Sequence, residues 1–228
     1  MKRIGLLAAA ITVALTLVCI SSATAAQFPN VLPLGAKAEP VTSENTSGES
    51  VFGTGLLSVK STKSKGEASE TSEKPGTYHF DLEELELLGT KCVSLEDTTK
   101  PGTILSLGRT DILDAKEAGK LITVMALLLE RTHFTCGETL IVGTGCLAGK
   151  LLPETGKLVS ETKVDLETVE QDNKIIKVEN ATLTGEFNCE LLASVNGGPA
   201  TLSSIKQTLT VKGFKIGTKA TEVFIMAD

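Results

Sequence analysis

Apolar and polar residues alternate with a period of two over much of the chain beyond Gly76, the spacing of strands that bury one face. Tyr78, Phe80 and Leu82 share one side of a segment whose other side carries His79, Asp81 and Glu83. Phe134 and Cys136 likewise oppose Arg131, His133 and Thr135. Residues 121–129, LITVMALLL, are apolar on both sides. A membrane helix takes about 20 apolar residues, so this run is too short to be a span. It is expected to be a central strand continuing to Cys136, with residues 139–142 (TLIV) forming the next strand.

Turn signals punctuate the rest. Lys100-Pro101-Gly102 and Lys116-Glu117-Ala118-Gly119 bracket a strand at residues 103–115. Residues 158–169 and 175–192 read as a long hairpin closed by Gln171-Asp172-Asn173-Lys174, where Asp-Asn tolerates positive φ. On the return limb Ile176 and Val178 hold even positions, whereas Leu183, Phe187, Cys189 and Leu191 hold odd ones. That phase change predicts a bulge or break near Asn180. Asn196-Gly197-Gly198-Pro199 ends the limb, and residues 205–211 and 221–226 close the domain. Residues 83–88 (EELELL) suit either a strand or a helical turn. The fold class expected is all-β: an antiparallel meander of about nine or ten strands closing into a barrel or a two-sheet sandwich. The barrel is favoured because so long a meander has edges to hide.

Before this region the pattern weakens. Residues 1–26 have a charged start (Lys2, Arg3), an apolar core and Ala23-Thr24-Ala25, the layout of a secretory signal cleaved after Ala25 or Ala26. Residues 27–50 contain Pro29, Pro33 and Pro40 with no sustained period and are expected to be a flexible lead-in. A single domain then spans 51–228, its first strand at residues 51–60 and a mobile loop at residues 61–75, where no apolar side chain exceeds alanine.

Composition narrows the function. Aromatics are 4% of the chain and Trp is absent, which disfavours stacking platforms for sugars or single-stranded nucleic acid. The net charge is −6, or −8 once Lys2 and Arg3 leave with the signal, and such a surface repels DNA phosphates and anionic lipids. No nucleic acid partner is expected, and no membrane span after signal removal.

The mature chain keeps Cys92, Cys136, Cys146 and Cys189, which in an exported protein imply two disulfides with three possible connectivities. Cys136 facing Cys146 would place a turn inside the apolar TLIV strand, so that pairing is disfavoured. Cys136–Cys189 with Cys92–Cys146 is the preferred set. The cysteines lack the C-x2-C spacing of a zinc site, and no metal or cofactor is expected.

Two motif matches are read as turns or kinks. Leu152-Pro153-Glu154-Thr155-Gly156 matches a sortase signal, but 72 residues follow it and the chain ends VFIMAD rather than in an apolar tail and basic residues. A Pro-Glu-Thr-Gly turn accounts for it. Gly143-Thr144-Gly145-Cys146-Leu147-Ala148 matches G-x-G-x-x-A, yet only residues 146–152 precede Pro153, too few for the helix a dinucleotide fold requires. Asn45-Thr46-Ser47 and Asn180-Ala181-Thr182 match glycosylation acceptors, a short and common pattern. His79 and His133 are the candidate general bases, both on polar strand faces. Glu83, Glu84, Glu86 and Asp111 are candidate carboxylates for glycoside chemistry.

Gly76-Thr77-Tyr78-His79-Phe80-Asp81, then Leu87-Leu88-Gly89 with Cys92, then Pro101-Gly102-Thr103-Ile104-Leu105, resembles a group of secreted, uncharacterised β-rich actinobacterial proteins. His133-Phe134-Thr135-Cys136 and Asn196-Gly197-Gly198-Pro199 extend the likeness, which covers Gly76 to the C-terminus. Relatives often carry a cysteine where this chain has Leu85 and usually lack one at Cys146, departures consistent with Cys92 pairing Cys146. The resemblance implies bacterial export and a β-rich fold, and transfers no activity.

The function expected is a non-enzymatic secreted β-barrel that binds an apolar small molecule inside or a cell-envelope partner outside, motivated by the two-sided apolar run at 121–129. The alternative is an extracellular hydrolase using carboxylates or a histidine, for which His133→Ala and Glu84→Gln are the diagnostic substitutions.

Overall fold

A computed structural model of the chain describes residues 31–32, 40–55, 57–70, 76–152, 157–167, 177–178, 181–183 and 189–225. Every element among them is a β-strand.

After β1 (Val31–Leu32), strands β2 (Val41–Ser47) and β3 (Ser50–Thr54) run on in one direction as a first stave. The chain returns along β4 (Leu57–Ser61) and β5 (Lys63–Glu70), then runs out along β6 (Gly76–Glu83) and β7 (Glu86–Leu87). β8 (Thr90–Ser94) with β9 (Ile104–Glu117), and β10 (Lys120–Arg131) with β11 (His133–Cys136), make the fourth and fifth staves. β12 (Thr139–Leu152) is the sixth. β13 (Lys157–Val159) steps outside, and β14 (Glu161–Glu167) continues the ring. β15 (Lys177–Val178) and β16 (Ala181–Leu183) pair with each other, and β16 adds to the end of β9. β17 (Leu191–Val195) completes the stave begun by β14, and β18 (Thr201–Ile216) is the eighth. β19 (Lys219–Ala220) and β20 (Val223–Ile225) follow.

Each stave pairs antiparallel with the next in sequence, and β18 pairs back onto β2 and β3, so the sheet closes on itself. This is the all-β antiparallel meander expected. Closure leaves no open edge between the first and last staves. A small sheet, β1-β20-β13, lies apart, with Val223 buried in the ring's main core.

Large side chains on one stave face small ones on its neighbour. In β6, Tyr78 and Phe80 point inward and stand opposite Ala68 and Gly66 of β5. This complementarity corrects two expectations. Residues 41–47, within the expected lead-in, form a paired strand whose inward residues are Val41, Ser43 and Asn45. Residues 63–70, within the expected mobile loop, form β5, with Ser64 and Ala68 buried. Small or polar inward side chains leave no hydrophobic period to read. Residues 71–75 lie outside the described residues. The expected first strand at 51–60 is instead the β3–β4 hairpin.

The expected long hairpin is also corrected. β14 pairs with β12 and β18, and among the described residues not with 177–178, 181–183 or 189–192. Its closing turn, the proposed bulge at Asn180 and the Pro-Glu-Thr-Gly turn fall outside the described residues. Residues 83–88 form no helical turn: β7 and β8 make a hairpin through Leu88-Gly89.

The disulfides are Cys92–Cys136 and Cys146–Cys189, not the preferred set. Had the β9–β10 register, with Arg131 opposite Leu107, simply continued, Cys136 would stand opposite Gly102. Residues 95–103 loop out instead, so β8 takes that place and Cys92 faces Cys136 across a Cα separation of 4.1 Å. Cys146 is held where the backbone N–H of Cys146 donates to the Glu190 carbonyl at 3.0 Å. Gly145 makes this approach possible: its φ is +92°, and a Cβ there would strike the Glu190 carbonyl. The glycines of the G-x-G-x-x-A match therefore mark an in-strand kink, with β12 continuing to Leu152. Two disulfides are compatible with an extracellular location.

Candidate functional site

The run at 121–129 lies in β10, and its residues 122–127 are buried on both faces by protein. Met125 and Leu127 enter the main interior core, whereas Ile122, Val124 and Ala126 join Ala115, Cys146, Ala148 and Cys189 in an outer cluster. The Cys146–Cys189 bridge is part of that cover. The two-sided pattern is thus explained by packing alone.

Inside the ring, where the main core meets the cluster around Phe134 and Ile141, a cavity of about 60 Å³ remains. Its wall is chiefly apolar, with Phe80, Leu127, Leu147, Leu191 and Ile205 contributed by five different staves. Polar atoms enter it from β6, β9 and the break between β10 and β11. Tyr78 Oη lies 3.3 Å from Ser106 Oγ, which lies 2.8 Å from Thr132 Oγ1. Burial pushes the Tyr78 phenol up to about 12, a hydrogen bond with Ser106 opposing the shift. Gln207 donates from Nε2 to Ser47 Oγ at 2.6 Å and to Ser64 Oγ at 2.9 Å. None of these polar residues was a sequence candidate. The available signal was their inward position in strand alternation: Ser106 sits between Ile104 and Gly108 on the buried face of β9.

The sequence candidates lie elsewhere, and only Glu83, Glu84 and Glu86 are brought together. His79, on the outer face of β6, has Nε2 3.4 Å from Asp81 Oδ1. His133 Nδ1 is 3.2 Å from Glu96 Oε1, and Ser94 Oγ donates to Glu96 Oε2 at 3.0 Å. The carboxylate stands between serine and histidine, so the histidine is not placed to take the serine proton as a nucleophile relay requires. The backbone N–H of Leu95 donates to the His133 carbonyl at 2.9 Å, so this cluster ties down the start of the 95–103 loop.

Glu83, Glu84 and Glu86 border one groove with Lys91 and Thr62, while Asp111 lies on β9 opposite Ala126. Hydrogen bonds from Lys65 and Lys63 hold the Glu83 carboxyl below its usual range, which keeps it charged and unsuited to donating a proton. Burial raises Asp111, but no second carboxylate of the candidate set accompanies it. Among the described residues, no three His, Cys, Asp or Glu side chains converge as a metal site.

No protein-family model, curated protein or solved structure matches this chain.

Proposed function

We propose that the chain is an exported, non-enzymatic binding protein that admits a small apolar molecule, or the apolar end of a larger one, into the interior of its closed sheet. The cavity carries this reading. Ligand pockets for drug-sized molecules occupy about 300–1,000 Å³, and an apolar cavity of about 150 Å³ takes up benzene. At about 60 Å³ the site fits an occupant of only a few heavy atoms. The signal-like residues 1–26 and the two disulfides support export.

Xenon is the direct probe, because it is apolar and enters dry cavities. Methyl resonances of Leu127, Leu147 and Leu191 are expected to move with xenon pressure, while those of Val124 and Ala126 in the outer cluster stay in place. Unmoved interior methyls in a folded protein would remove the interior-ligand reading.

A further inference from the structure

The cavity is apolar, yet its wall carries a run of three hydroxyls that leaves one hydrogen without a hydrogen bond among the described residues. Tyr78, Ser106 and Thr132 bring three O–H groups, and the two hydrogen bonds among them use two. Ser50 and Gln207 also line the space, the latter with Nε2 held by Ser47 and Ser64. No Lys, Arg, His, Asp or Glu lines the space. A charged guest would lose its hydration with no counter-charge, at a cost far above what so small a contact returns. A hydrocarbon guest would cover the spare O–H and leave it without a partner, which costs about 1–3 kcal/mol.

We infer that the interior site selects neutral small molecules carrying an oxygen acceptor, such as a ketone, ether or ester, over hydrocarbons of the same shape. The inference rests on the interior-ligand reading and adds the chemistry of the guest. Tyr78 is suited to the role, since its phenol stays protonated at any pH where the fold operates.

Acetone and xenon test it together, against wild type and the triple variant Tyr78→Phe, Ser106→Ala, Thr132→Val. The triple change removes donors and acceptors together with near-isosteric groups, which leaves packing close to neutral. Acetone affinity is expected to fall roughly tenfold in the variant, the effect of one lost buried hydrogen bond, with the xenon response retained. Acetone binding equally well to both proteins, with xenon retained, would overturn the guest chemistry and leave the cavity reading intact. Loss of the xenon response in wild type would overturn both. Should the variant fail to fold, the carbonyl carbon resonance of labelled acetone bound to wild type decides. A hydrogen-bonded shift supports the assignment, and a hydrocarbon-like shift overturns it.

Discussion

Tyr78 is the only tyrosine in the chain, and its hydroxyl ends the run of three that lines the interior site. Its folded-state value of about 12 lies above the roughly 10 of an unfolded chain. A raised value on an acid means that the neutral form is favoured by folding. The associated stability is therefore complete below about pH 10 and is lost as pH rises through about 12. Tyrosinate absorbance should stay low through pH 10 and rise nearer 12, together with loss of β-sheet dichroism. A midpoint near 10 in protein that remains folded would contradict the buried phenol. Tyr78 and Phe80 were legible as inward residues because they are large and alternate. Ser106 and Thr132 were not, because a hydroxyl on a strand reads as solvent-facing until the strand has neighbours on both sides.

At the level of the element, turns that place residues in the left-handed region recur where staves reverse. Asn196-Gly197, at φ +52° and +73°, uses the residue types such turns favour. The β7–β8 hairpin instead puts Leu88 at φ +51°, with its side chain 96% exposed. A branched apolar residue there carries backbone strain that asparagine largely escapes. Leu88→Asn is expected to stabilise the protein by on the order of 1 kcal/mol, read as a higher thermal midpoint. A lower midpoint would show that Leu88 makes a contact that offsets the strain. Hairpins between neighbouring strands, such as β9–β10 through Ala118-Gly119, were readable from their turns. The pairing of β14 was not. Its partners β12 and β18 are chosen by ring closure, and nothing local to residues 158–192 encodes that choice.

Across the whole molecule, the disulfides join parts that the meander alone leaves separable. Cys92–Cys136 locks the fourth stave to the fifth beside the looped-out residues 95–103, and Cys146–Cys189 fastens the outer cluster to β12. A bridge closing 44 residues removes unfolded-chain entropy equivalent to about 4 kcal/mol. The double variant Cys92→Ala, Cys136→Ala should lower unfolding stability by about 2–4 kcal/mol in denaturant titration. An unchanged midpoint would mean that the closed sheet already enforces the β8–β11 register. The sequence by itself determined the class of fold and its running order, because a period of two and turn residues are local properties written in consecutive positions. It determined as well that four cysteines would be bridged. Which cysteines meet, that residues 41–47 and 63–70 are staves, and that a cavity lined by three linked hydroxyls remains between the cores were decided only by tertiary structure. Each depends on what stands opposite in the closed sheet, and that partner is set by register between segments distant in sequence.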